Sequence, residues 1–405
     1  MKKFEIPDIY KSPLILRIKE IRKLRDPRKK DFYPSLLDFG PVRFLLARHF
    51  GFCYGVENAI EISNRIIEDN PGKRIFLLSE MIHNPSVNEE LISRGVKFLM
   101  DTSGNQHLDW SELSSEDIVI VPAFGTTEEI EQKLKDIGID IRKYNTTCPF
   151  VEKVWNRSIQ LGENNYTVII HGKYYHEETR ATFSRSNQKA PSVIIRNIDE
   201  AALLGKIILN EIEQDEFYNL FRGKYSTGFD VAKDLQRIGV VNQTTMLATE
   251  TQEIADLLKN IMARKFGQEN ISRHFADTRD TLCYATTDNQ DATYGMLKEN
   301  ADIAIVVGGY NSSNTSHIVA LCEGKLPTYF ISGADKIISA KNINHFDIHN
   351  KTEINTERYL PSKYPVDIML TSGASCPDAI VEQVLNKILS FFCDVKNVDE
   401  VINSL

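Results

Sequence analysis

No apolar run in this chain reaches the roughly 18 residues that a membrane-spanning helix needs, so no helical span and no membrane partner are expected. A cationic excess is also missing. The net charge is −8, whereas a chain whose main partner is nucleic acid ordinarily carries a basic balance. Cysteine is scarce, with six among 405 residues and no Cys-x-x-Cys pair. That is too sparse for a disulfide scaffold, and it disfavours a zinc ribbon or a ferredoxin-type run, both of which need closely spaced pairs. No secretory signal is visible, and the first 40 residues are neither acid-poor nor serine-rich as a transit peptide would be, so the expected setting is the reducing cytoplasm.

What cysteine there is stands at telling places. Residues 42–47 read as a short buried strand, a glycine-bounded turn holding Cys53 follows, and 56–70 reads as a helix with Val56, Ala59, Ile60, Ile62, Ile66 and Ile67 on one broad face. A cysteine between strand end and helix start meets free backbone N–H groups and the positive helix end, which favour a thiolate. The layout recurs at Cys148, followed by Pro149, and at Cys283. Cys376, in Thr-Ser-Gly-Ala-Ser-Cys-Pro-Asp, is a fourth strand-to-helix candidate. Position alone yields four possible metal ligands and does not choose three. Cys322, inside a helix, and Cys393, at the end of one, read as small buried hydrophobes.

Around these turns, short apolar strands alternate with helices. Strands are expected at 74–78, 96–100, 117–121, 167–170, 193–196, 238–241, 303–307, 328–331 and 367–370, with helices at 86–93, 127–137, 148–161, 251–265, 290–300, 315–323 and 377–392. The fold class is therefore α/β, with mostly parallel sheets covered by helices and ligands bound at the carboxyl ends of the strands. Residues 210–234 have weak periodicity and read as an insertion. Residues 1–41 form an N-terminal extension with Leu14, Ile18 and Ile21 at helical spacing, expected to pack on the body through a short helix. Its many lysines and arginines read more simply as a solvated face than as a docking surface for an acidic partner.

Four polar stretches fall at strand ends. In 306–317, Val-Val-Gly-Gly-Tyr-Asn-Ser-Ser-Asn-Thr-Ser-His, a buried strand runs into two glycines and then into Ser312, Ser313 and Asn314 at a helix start, which suits an anion such as phosphate. The Gly-Lys-Ser/Thr ending of a Walker loop is absent. Ser372, Gly373, Ala374 and Ser375 offer a second, similar cradle. In 169–179, His171, His176, Glu177 and Glu178 follow a strand, and a His with a carboxylate two residues away can pass protons. His83, in Met-Ile-His-Asn-Pro, stands at another such turn.

Taken in order, these segments resemble the LytB-type 4-hydroxy-3-methylbut-2-enyl diphosphate reductases. The resemblance rests on Phe-Cys-Tyr-Gly-Val-Glu-Asn-Ala (52–59), Ile-His-Asn-Pro (82–85), Thr-Thr-Cys-Pro (146–149) and His-Gly-Lys-Tyr-Tyr-His-Glu-Glu-Thr (171–179). It continues through Asn-Gln-Thr-Thr (242–245), Cys-Tyr-Ala-Thr (283–286), Asn-Ser-Ser-Asn-Thr-Ser-His (311–317) and Ser-Gly-Ala-Ser-Cys-Pro-Asp (372–378). It spans roughly 42–392.

The resemblance implies three α/β lobes in pseudo-threefold arrangement around a central cluster. These would be 42–148, 149–282 and 283–405, with 42–54 a candidate to pair with the third. It implies one 4Fe–4S cluster held by Cys53, Cys148 and Cys283 with one open iron, leaving Cys376 structural. The reaction implied is reductive dehydroxylation of the allylic diphosphate to isopentenyl and dimethylallyl diphosphates, the last step of the non-mevalonate isoprenoid route. Carried over by motif, Glu178 is the proton donor and Thr244 sits near the hydroxyl, while His83, His176, Ser312, Ser313, Asn314 and Ser375 hold the diphosphate. Ferredoxin or flavodoxin is the implied electron donor. Many bacterial members read Ala-His-Gly where this chain reads Ala123-Phe124-Gly125, so one histidine contact is absent, as in the branch that includes plant-type enzymes. Two other readings compete. A quinolinate-synthase-like enzyme would not need this Asn-Ser-Ser-Asn loop, and a binding module with unmetallated cysteines would purify without the brown colour of thiolate-ligated iron.

Overall fold

The computed structural model describes residues 4–276, 281 and 283–405. They form two compact units. The first holds the described residues up to Glu61, then Ile82–Glu90 and Tyr284–Leu405. The second holds Ile62–Met81 and Leu91–Cys283.

The first unit is built on a five-stranded sheet in the order Ser35–Asp38, Val42–Leu46, Val366–Ser372, Ile303–Val307, Thr328–Ile331. Only the first pairing is antiparallel. Every residue of Ile303–Val307 and of Thr328–Ile331 is buried, as expected of parallel strands covered on both faces. Register sets Val366 beside Val42 and Val307 beside Ser372, so the strands share their carboxyl ends. The helix Pro13–Arg25 begins with Ser12 capping the Ile15 N–H at 2.9 Å and Pro13 at the first position, a residue that loses nothing there. It buries Leu14, Ile15 and Ile18 in the same core as the sheet and the helix Asp378–Leu389.

The second unit carries two parallel sheets. One runs in the order Lys97–Phe98, Ile75–Leu77, Ile118–Ile120, and the other Ser192–Ile195, Thr167–His171, Ile238–Asn242, Phe275–Ala276. The three sheets with their covering helices make the mixed, mostly parallel α/β fold read from the pattern. Among the described residues no helix is long and apolar enough to cross a membrane.

Sequence pattern and structure differ at four places. The expected helix at 290–300 is Tyr284–Met296, starting directly after Cys283. Its buried face includes Thr286, Asn289, Gln290 and Thr293, and these polar side chains hide the apolar period. The weakly periodic 210–234 stretch is packed, with Phe217, Phe221 and Phe229 buried and Phe217 stacked on Phe221 at 5.2 Å and on Phe229 at 4.9 Å. An aromatic cluster does there what a helix face does elsewhere. The antiparallel hairpin Asn342–Asp347 with Thr352–Glu357 is too polar to stand out as strand. Cys393 is exposed rather than buried, because it lies past the last turn of Asp378–Leu389.

Candidate active site

In the first unit the candidate residues gather where two parallel strands end side by side. Cys53 precedes the helix Tyr54–Asp69 and receives the Glu57 N–H on its carbonyl at 2.9 Å. Its turn is tied to the end of Val366–Ser372: the Gly51 N–H donates to Ser372 Oγ at 3.1 Å, and the Cys53 N–H donates to the Ala374 carbonyl at 3.1 Å. Ser375 Oγ donates to the His83 carbonyl at 3.2 Å, and His83 is buried.

The Ile303–Val307 strand leads through Gly308 and Gly309 into the helix Ser313–Glu323. Ser312 caps that helix, accepting from the Thr315 N–H at 3.2 Å and standing 2.9 Å from Thr315 Oγ1. The glycines are required by close approach. A Cβ on Gly309 would lie 2.2 Å from the His83 carbonyl oxygen, and one on Gly373 would lie 2.0 Å from Thr315 Oγ1. Ser313 and Asn314 are buried, and neither amide atom of Asn314 has a hydrogen-bond partner among the described residues. A buried amide lacking partners is costly unless a ligand supplies them. The helix N-terminus, the hydroxyls and this amide are the kinds of group that suit anionic oxygens.

In the second unit Cys148 caps the helix Pro149–Glu163, with its own N–H donating to the Ala123 carbonyl at 2.9 Å. Burial pushes its thiol up to about 12; neighbouring charge on Cys283 and on Glu178 pushes the same way, against the N–H groups of Phe150 and Val151. His176 caps the helix Glu177–Asn187, its Nδ1 accepting the Glu178 N–H at 3.2 Å, so the neutral ring carries its proton on Nε2. The Phe124 ring meets the His176 ring edge-on at 5.6 Å. The Glu178 side chain is buried at 1% exposure. Its carboxylate accepts the Thr244 N–H at 2.5 Å and Thr244 Oγ1 at 2.9 Å.

The first unit thus holds Cys53, His83, Ser312, Ser313, Asn314 and Ser375, and the second holds Cys148, His176, Glu178, Thr244 and Cys283. His171 is set apart: it closes the strand Thr167–His171 fully buried, bonded through Nδ1 to Thr251 Oγ1 at 2.9 Å, with burial lowering its pKa to about 4. Three supporting residues escaped the sequence reading. Thr315 is packed against Gly373. Gln243 Oε1 accepts Thr179 Oγ1 at 3.0 Å and the Lys173 N–H at 3.1 Å. Thr281 donates to Asn242 Oδ1 at 2.7 Å and so ties the approach to Cys283 to a strand end. The sequence signal for Thr315 and Gln243 was their position inside the polar motifs, and for Thr281 its place two residues before Cys283.

The thiols suit a soft iron centre. Cys148 and Cys283 lie close enough for charge on one to oppose charge on the other, and a thiol held this high ionises when a metal takes the place of its proton. Cys322 and Cys376 have no exposure at all, and both thiols are pushed up by burial. The shift therefore does not separate the cysteines; exposure differs, Cys53 and Cys148 being half-buried and Cys283 8% exposed. Among the described residues no three His, Cys, Asp or Glu side chains close on one metal ion. That bears on a single-ion site; a multi-iron cluster sets its thiolates further apart.

The family model described as "LytB protein" matches residues 44–389. This chain belongs to the LytB family. A relative from Cyanothece sp. is 41% identical over 353 residues, covering 87% of this chain and 85% of its own. One from Trichodesmium erythraeum is 39% identical over 389 residues, covering 96% and 92%. Both are named 4-hydroxy-3-methylbut-2-enyl diphosphate reductase. The solved Plasmodium falciparum E-1-hydroxy-2-methyl-but-2-enyl-4-diphosphate reductase matches with a TM-score of 0.61 at 22% identity, over 85% of this chain and 86% of that one, and carries the same fold.

Proposed function

We propose that this LytB-family chain reduces (E)-4-hydroxy-3-methylbut-2-enyl diphosphate to isopentenyl and dimethylallyl diphosphates. One observation carries the reading. Cys283 and Glu178 both lie near enough to Cys148 for their charge to act on its thiol, so a buried carboxyl able to give a proton shares the surroundings of a thiol able to hold iron.

Cys53, Cys148 and Cys283 would hold a 4Fe–4S cluster. With three thiolates on four irons, such a cluster supplies an open Lewis-acid iron and a store for electrons. The chain's own residues do the rest. Ser312, Ser313, Asn314 and Ser375, with His83 and the Nε2–H of His176, bind and neutralise the diphosphate. Asn314 gains the partners its buried amide lacks. Thr244 holds the Glu178 carboxyl through two donors and fixes where it delivers its proton. That proton goes to the substrate's allylic hydroxyl oxygen, so water rather than hydroxide departs. Two electrons and a second proton complete the balance. Phe124, packed edge-on against His176, fixes that ring. The electrons come from a ferredoxin or flavodoxin.

The test is direct. Protein purified without oxygen should be brown and, with reduced viologen and the hydroxylated diphosphate, should release both products. Iron-loaded protein that leaves the substrate untouched would overturn the reading.

A further inference from the structure

The N-terminal extension lies outside the family match, which begins at residue 44. It is nonetheless fixed on the first unit by Leu14, Ile15 and Ile18. Between residues 17 and 30 it carries Arg17, Lys19, Arg22, Lys23, Arg25, Arg28, Lys29 and Lys30 against only Glu20 and Asp26, in a chain whose net charge is −8. This cationic stretch borders a cavity of about 260 Å³ lined by Lys19, Lys23, Lys29, Arg48, Cys53 and Tyr284, all in the first unit.

The cavity is built rather than incidental. Lys19 is held by both Asp378 oxygens at 2.7 and 2.8 Å and lies over the Phe50 ring at 4.6 Å. Arg48 is 7% exposed, and its Nε has no partner among the described residues. Its nearest acid is Asp26, at 3.7 Å from Nη2. The acids lining the cavity are Glu57 and Asp288, against Lys19, Lys23, Lys29 and Arg48 on its basic side.

We propose that this surface, from Lys19 to Lys30 and across the mouth of the Cys53 cavity, is the docking site for an acidic one-electron carrier protein. The breadth of the charge selects a protein over a small anion. Lys23, Arg25, Arg28, Lys29 and Lys30 are exposed along a helix end and the loop after it rather than converging on one point. Leu24, at 83% exposure, and Tyr284, at 42%, supply apolar area between them. A cationic field with an apolar centre steers and seats an acidic partner. The position selects a redox partner, because Cys53 forms part of the cavity wall. This inference rests on the proposed cluster role of Cys53.

The test pairs binding with turnover. Binding of an acidic 2Fe–2S ferredoxin to the holoenzyme is measured at low and high ionic strength, for wild type, for Lys23→Glu/Lys29→Glu and for the control pair Lys233→Glu/Lys259→Glu in the second unit. The first pair should bind about ten-fold more weakly and lose most of the salt dependence. Its ferredoxin-driven turnover should show a raised KM, while turnover driven by reduced methyl viologen stays at the wild-type value. Unchanged ferredoxin binding in that pair overturns the proposal, and so does equal weakening in the control pair. A wild-type holoenzyme inactive with viologen would sink the reductase reading instead, and the binding measurement would still judge the docking site.

Discussion

Glu178 joins burial at 1% exposure to two hydrogen bonds from one residue, Thr244. A solvated loop carboxylate has neither. Glu178→Gln keeps the shape and can still accept from Thr244, but it cannot give up a proton. Turnover should fall by about 10²–10⁴ with substrate affinity little changed, because the missing interaction belongs to the transition state. Single-turnover reduction by the iron-loaded variant measures this, and near-wild-type turnover would remove Glu178 from the chemistry. The cysteines divide in the same spirit. Serine at Cys53, Cys148 or Cys283 should lower iron and sulfide content, since three ligands leave no reserve. Serine at Cys322, Cys376 or Cys393 should leave iron in place, although Cys322 and Cys376, buried without exposure, should lose thermal stability where exposed Cys393 does not. Iron analysis and melting of the six variants decide the assignment; full iron in the Cys148 variant with loss in the Cys376 variant would reverse it.

At the scale of elements, the helix Ser313–Glu323 offers a contrast between its two ends. Gly309, just before it, has no room for a Cβ, because the His83 carbonyl would lie at 2.2 Å and is backbone. Gly324, at its end, has φ −64° and a nearest neighbour at 3.5 Å. Gly309→Ala should therefore destabilise by about 1–3 kcal/mol and weaken diphosphate binding. Gly324→Ala should be neutral or stabilising by about 0.4–1 kcal/mol. Denaturation midpoints with substrate titration check both, and equal effects would mean that the approach of His83 is not what Gly309 serves. The same elements mark how far sequence reaches. Parallel strands such as Ile303–Val307, buried at every residue, announce themselves as short apolar runs. The polar hairpin at Asn342–Asp347 does not, because only Ile343 and His345 of that strand are buried and its partner strand is mostly exposed, and Tyr284–Met296 does not, because its buried face is polar. The junction cysteines, the Asn-Ser-Ser-Asn cradle and the His–Glu pair are visible as local patterns. The meeting of Gly309 with His83 and of Glu178 with Thr244 joins residues far apart in sequence, which no local pattern encodes. Position likewise could not choose among four cysteines.

For the molecule as a whole, the question is whether the extension is an appendage or part of the core. Outside the family match yet inside the main hydrophobic cluster, Ile15 and Ile18 are at most 2% exposed and pack with the helix Asp378–Leu389 and the five-stranded sheet. Six residues beyond Ile18 on the same helix, Leu24 is 83% exposed. Isoleucine, leucine and alanine lie within about 0.7 kcal/mol of one another in helix propensity, so substitutions at the two sites differ mainly through burial. Ile18→Ala removes a buried side chain and leaves a cavity, which costs about 2–5 kcal/mol. Leu24→Ala removes one already in water and should stay within about 0.5 kcal/mol. Ser12→Ala, which strips the cap from the Ile15 N–H, should fall between them at about 1 kcal/mol. Urea unfolding of the three variants should rank them in that order. An Ile18→Ala midpoint no lower than that of Leu24→Ala would mean the extension separates before the core does. In that case the lysines it carries would not be held beside Cys53, and the basic surface would lose the rigid support that docking at the cavity mouth requires.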